Sequence, residues 1–129
     1  MTRVYKLAAA VIGTTNAAAQ IQFQRAGSII AIVSTIAMEP ATTGDKLRAE
    51  LSFASTGQWT VNDTVGPIYQ HDMIYDLVTS GSTLGGQSLS VAGLNIGVNS
   101  GDRLYLNISL SAAPTSSSTV FFVYVEERM

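Results

Sequence analysis

The chain has no cysteine, one histidine, and only seven basic and nine acidic side chains in 129 residues. Without cysteine there is no disulfide framework, no thiolate metal site and no cysteine nucleophile, although this names no compartment. With one histidine, any Ser-His-Asp triad must run through His71, with Asp72 or Asp76 to orient it, and no G-x-S-x-G elbow supplies a nucleophile. The basic residues are scattered and the net charge is −2, so the chain carries no electrostatic footprint for nucleic acid. Long apolar runs are missing too. Thr14, Thr15, Asn16, Gln20, Gln22 and Gln24 interrupt the uncharged stretch after Lys6 well short of the ~20 apolar residues a spanning helix needs. Gly44 and Gly85-Gly86 lack a phosphate-loop lysine and a following helix, so no phosphate cradle is supported.

The scarcity of charge has a second consequence. Charged residues make up 12% of the chain, against about 25% in an average soluble domain. None occurs between Lys6 and Arg25, between Asp76 and Asp102, or between Arg103 and Glu126. Ser, Thr, Asn and Gln fill many of those positions, and a polar but uncharged exterior protects poorly against association. It reads either as an ordinary Ser/Thr-rich β surface or, the preferred reading, as a surface covered by copies or partners.

What is present is a repeat. T-G-D-K-L-R-A-E-L-S (Thr43 to Ser52) returns as S-G-D-R-L-Y-L-N-I-S (Ser100 to Ser109). Each copy reads as a turn that launches a strand. Gly44 and Gly101 can supply the positive φ of a tight turn, and Asp45 and Asp102 can accept hydrogen bonds from its amides. After each turn, Leu47, Ala49, Leu51 and Phe53, and then Leu104, Leu106, Ile108 and Leu110, alternate with polar residues, which is strand periodicity. The repeat is either an internal duplication or turn chemistry that has converged.

Strands are expected at 4–12, 20–24, 29–38, 46–55, 88–91, 94–98, 103–112 and 119–126, with 68–79 ambiguous between strand and short helix. The run 29–38 is apolar on both faces, with Ile30, Ile32, Ile36 and Met38 on one and Ile29, Ala31, Val33 and Ala37 on the other. It reads as a strand covered twice, with 46–55 as its hairpin partner; Pro114 to Ser118 reads as the hairpin between the last two strands. At the N-terminus, Arg3, Lys6, the apolar Leu7 to Gly13 and the small Ala17-Ala18-Ala19 imitate a signal peptide, the competing reading being a first strand that ends in a Thr14-Thr15-Asn16 turn. Eight or nine short strands with Gly, Ser and Asn turns predict an all-β chain, a single β-sandwich domain over 1–129 of Greek-key jelly-roll form.

Chemistry is hard to find in this pattern. His71 reads as an ordinary exposed polar residue, whose loss should change stability by less than about 0.5 kcal/mol. His71, Asp72 and Asp76 could hold a metal only if a turn or helix brought them to one side. Glu39, Glu50, Asp63, Asp72 and Asp76 are available for paired-carboxylate hydrolysis, but sequence spacing fixes no separation across a sandwich. A carbohydrate-binding face would draw on Trp59, Tyr69, Tyr75 and Tyr105. Asn62-Asp63-Thr64 and Asn107-Ile108-Ser109 match the glycosylation pattern, which carries meaning only in a secreted chain.

The succession A-G-S-I-I-A-I-V, T-G-D-K-L-R-A-E-L, S-G-D-R-L-Y-L-N-I-S-L and T-V-F-F-V-Y-V-E-E resembles small jelly-roll virion proteins of tailed phages, of the capsid cement or decoration type. The heads of trimeric receptor-binding fibres look similar. The resemblance implies a homotrimer on the capsid surface that clamps neighbouring major capsid proteins, with no catalytic residue, no cofactor and neither nucleic acid nor membrane as partner.

Overall fold

The alternating sequence becomes eight strands: β1 (Thr2–Val11), β2 (Asn16–Gln22), β3 (Gly27–Glu39), β4 (Lys46–Ser52), β5 (Tyr69–Ile74), β6 (Gly85–Val98), β7 (Arg103–Leu110) and β8 (Ser116–Glu127). They come from a computed structural model that describes residues 1–11, 16–39, 46–53, 68–74, 85–111 and 116–128. Two antiparallel four-stranded sheets form, in the orders β1-β8-β3-β6 and β2-β7-β4-β5. One rule generates both orders. The first strand pairs with the last, the second with the seventh, the third with the sixth and the fourth with the fifth. The whole chain is thus a long hairpin rolled into two layers, and β8–β3 and β7–β4 pairing closes each layer. This is the jelly-roll β-sandwich.

Burial follows the strand period. Along β7, Leu104, Leu106, Ile108 and Leu110 are buried while Tyr105, Asn107 and Ser109 are not. They join Leu47, Ala49 and Leu51 of β4, Ile29, Ile32 and Ile36 of β3, and Phe121, Val123 and Val125 of β8 in one core between the sheets. Tyr5 closes one end of it, its ring edge-on to Phe23 at 5.2 Å.

Several expectations need correction. β3 and β4 are not a hairpin, and neither are β7 and β8; each pair lies in different sheets. Alternation says only that a strand buries one face, and in a sandwich a strand in either sheet can bury it in the same core. The segments 88–91 and 94–98 are one strand, β6, which continues through Gly93 at φ 75°. The ambiguous 68–79 contains β5, a strand. The two-face assignment of β3 fails at a register shift between Ile29 and Ala31. An irregularity there changes which side of the sheet successive residues face, so Ile29 joins Ile32 and Ile36 in the core and Ile30 is only half-buried.

Two close approaches fix the ends of the sheets. A Cβ at Gly27 would run into the backbone of Glu126 and Glu127, so only glycine lets β3 begin against β8. β1 is fastened to the same place: the terminal ammonium of Met1 and the Thr2 hydroxyl donate to the Glu126 carboxylate at 2.9 and 2.8 Å. Those two hydrogen bonds, the first the stronger, hold the Glu126 carboxyl below the usual carboxylate range. Arg3 Nε donates to the buried Glu127 carboxylate at 2.8 Å.

The second copy of the repeat builds its turn as follows. Asn99 N donates to Asp102 Oδ2 at 2.9 Å and Asp102 N returns to the Asn99 carbonyl at 3.1 Å, around Gly101 at φ 91°. Gly44 and Asp45, the matching pair, lie outside the described residues. The repeated strands themselves are neighbours, since β4 pairs with β7 and sets Glu50 directly opposite Asn107. Both residues occupy the eighth position of their repeat, so a local pseudo-two-fold axis passes between them.

Candidate functional site

Three places in this fold hold side chains worth testing for function: the interior beneath β5, and the outer face of each sheet.

In the interior, His71 of β5 reaches across the sandwich to Ser34 of β3. Ser34 Oγ and His71 Nδ1 share a hydrogen bond of 2.6 Å, and both residues are 0% exposed. The exposed histidine expected from sequence is therefore a core residue. It stands at a position of β5 that faces the other sheet, opposite Ala49 of β4, and the adjacent serine lets an imidazole be buried with a hydrogen bond. A serine beside a histidine is half of a hydrolytic constellation, but this pair has no exposed surface through which a substrate could meet it. Among the described residues no group of three His, Asp or Glu side chains could hold a metal.

The middle of the outer face of the first sheet is mainly apolar. Its rows read Val4, Tyr124, Ala31 and Ala92; then Lys6, Phe122, Val33 and Ser90; then Ala8, Val120, Thr35 and Ser88. Val120, Phe122, Tyr124, Ala31 and Val33 are half-buried, whereas Val4 is 48% exposed. One lysine is the only charge in these rows. The phenylalanine and tyrosine rings stand at the centre of a sheet, where a solvated face of an antiparallel sheet ordinarily carries polar groups.

The outer face of the second sheet is polar. Ser109 lies opposite Asn16 and Arg48, Asn107 opposite Ala18 and Glu50, and Tyr105 opposite Gln20 and Ser52. Glu50 and Ser52 are 5% and 1% exposed although they point away from the core. A cleft of about 430 Å³ opens here, lined by Asn16, Ala17, Ala18, Glu50, Asn107, Ile108 and Ser109.

The aromatic residues named from sequence fare differently. Tyr105 stands half-exposed beside the cleft on the outer face of β7. Tyr69 does not belong to a binding face; its ring packs edge-on against core Phe121 at 5.9 Å. Trp59 and Tyr75 lie outside the described residues, as does the sequon at Asn62. At the other sequon, Asn107 to Ser109 lie in mid-strand, paired with β2 on one side and β4 on the other, so the folded chain does not offer the sequon backbone to a glycosylating enzyme. Of the five candidate carboxylates, Glu50 lines the cleft; Asp63 and Asp76 lie outside the described residues.

No protein-family model matches the chain, and no curated protein matches it in sequence. Solved structures match in fold. An alpha-amino acid ester hydrolase superposes on 85% of this chain and 23% of its own, with a TM-score of 0.52 and 10% identity. The Yersinia pseudotuberculosis-derived mitogen covers 100% of this chain and 91% of its own, with a TM-score of 0.46 and 10% identity. A subviral particle of infectious bursal disease virus covers 98% and 33%, with a TM-score of 0.44 and 13% identity. At such identities the likeness concerns the β-sandwich alone.

Proposed function

We propose that this chain is a non-enzymatic structural protein of a virion surface, a cement or decoration protein that forms a homotrimer and clamps neighbouring major capsid proteins. The observation that carries the reading is the outer face of the first sheet. Phe122, Tyr124, Val120, Val33 and Val4 form an apolar surface with Lys6 as the one charge in its three rows and Glu126 in the row beyond Tyr124, and water is a poor solvent for such a face. An interface of standard size buries about 800 Å² on each partner, and apolar area removed from water contributes about 25 cal/mol per Å². A small sheet face repeated over a lattice can thus hold a shell without chemistry. The burial of Ser34 and His71 supports the absence of catalysis, because the one serine–histidine pair is spent inside the core.

Light scattering of the purified chain tests the reading. The unmodified protein is expected to run as a trimer or larger assembly, and Phe122→Lys, which puts a charge at the centre of the face, as a monomer with unchanged melting. A monodisperse monomer of the unmodified chain at micromolar concentration that also fails to bind capsid lattices refutes it. A count of copies per purified particle separates the shell-clamping role from its alternative, a receptor-binding or carbohydrate-binding fibre head. The first gives a number on the scale of the capsid lattice, the second only a few copies.

A further inference from the structure

We propose that the cleft on the outer face of the second sheet binds one residue of a neutral sugar. The cleft lies on the sheet opposite the apolar face, so the two functions stand or fall separately.

The lining selects the ligand class. Asn107 carries an amide nitrogen that is buried with no hydrogen-bond partner among the described residues, an arrangement that leaves a desolvated donor without compensation. A ligand hydroxyl lowered between β2, β7 and β4 is the acceptor it lacks. Glu50, nine-tenths buried and directly across the β4–β7 ladder, presents a carboxylate, which accepts hydrogen bonds and donates none when ionised. Asn16 and Ser109 add an amide and a hydroxyl at the rim. The set therefore both donates to and accepts from hydroxyl groups.

Other ligand classes fit less well. Among the described residues no Lys, Arg or His lines the cleft, and the buried carboxylate repels phosphate and carboxylate ligands. A metal would need more ligating groups than one carboxylate, and no such cluster occurs among the described residues. Ala18, opposite Asn107 on the outer face, is small, and that leaves the space; Ala17 and Ile108 also line the cleft, but their side chains turn to the core. Ala18 offers its methyl group to the C–H groups of a pyranose, and Tyr105, two residues along β7 on the same face as Asn107, stands half-exposed beside the cleft. A volume of about 430 Å³ is at the small end of ligand pockets, which suits one sugar residue rather than a long glycan.

The test uses the full chain labelled with nitrogen-15 and titrated with glucose, galactose, mannose and N-acetylglucosamine. At least one of these sugars is expected to shift the Asn107 side-chain amide and the backbone amides of 16–18 and 107–109 saturably, with a dissociation constant in the millimolar range. Ala18→Leu changes an exposed residue that makes no core contact; it should fill the cleft and abolish the shifts while the rest of the spectrum is preserved. Glu50→Gln keeps the shape, loses the charge-assisted hydrogen bonds and should weaken binding about tenfold. The proposal is overturned by the absence of saturable shifts with all four sugars up to about 50 mM, well beyond a millimolar constant. Shifts that map to the first sheet, or that persist undiminished in Ala18→Leu, overturn it equally.

Discussion

Replacing His71 by alanine should destabilise the chain substantially, and the size of the loss follows from what the imidazole touches. Ser34 and His71 are both wholly buried and joined at 2.6 Å. Removing the ring leaves the Ser34 hydroxyl without that partner in the core, which costs about 1–3 kcal/mol for a buried group. It also leaves a space of about 60 Å³ which, at about 24 cal/mol per Å³ of unrelaxed cavity, adds roughly 1.5 kcal/mol. The expected loss is about 3 kcal/mol, or roughly 10 °C in Tm for a chain of this length. Urea denaturation followed by tryptophan fluorescence and by circular dichroism provides the measurement, with coincident transitions required before a free energy is assigned. Ser34→Ala and the double variant complete a cycle, in which the pair should show a coupling of about 1 kcal/mol or more. A loss below about 0.5 kcal/mol, the value for an exposed residue, refutes the core placement of His71. A large loss with no coupling to Ser34 refutes the hydrogen bond.

The remaining predictions concern backbone constraints. Gly27→Ala forces a methyl group into the Glu126 carbonyl where β3 meets β8, and overpacking of this kind should cost about 1–3 kcal/mol; an unchanged denaturation midpoint would show that the strands can part there freely. Asp102→Ala removes the acceptor of the Asn99 amide in the β6–β7 turn and, by analogy with a lost capping bond, should cost about 0.5–2 kcal/mol, read from the same denaturation curves with assembly state unchanged. An undiminished midpoint would show that the backbone hydrogen bonds around Gly101 hold the turn without the Asp102 carboxylate.

Much of the strand content could be read from the alternation of apolar and polar residues, and the pairing could not. Leu104 to Leu110 declare which face is buried, because one face of an antiparallel strand meets the core and the other does not. That alternation is blind to which sheet a strand joins, so adjacent segments such as β3 and β4 look like a hairpin even though they lie in different layers. The rolled pairing of first with last strand is a property of the whole chain, and no local window contains it. The irregularity at Ile29 to Ala31 is a second kind of failure. It moves Ile29 to the core side, and a run of β-branched residues with no glycine or proline at that point gives no warning. His71 failed for a third reason: its partner Ser34 lies far away in sequence, and burial of a polar side chain is decided by whether such a partner arrives.

The functional surface shows the opposite relation between repeat and position. The two decamers were visible in sequence as strand openings, with Glu50 and Asn107 as their eighth residues, yet nothing in a linear repeat says that its copies touch. Once β4 and β7 pair antiparallel in the register that sets Glu50 against Asn107, equivalent residues must meet at the pseudo-two-fold, and only at that position. The repeat differs most usefully there, since a carboxylate in one copy faces a carboxamide in the other, an acceptor beside a donor. Two carboxylates directly opposite each other would repel, and two carboxamides would lack the charge that strengthens a hydrogen bond to a hydroxyl. Beside this pair the cleft exists because β2 sets the small Ala18 opposite Asn107 rather than a long side chain. A binding position made this way requires three strands in register, which is why composition and motif searches pass over it while the sheet topology brings it into view.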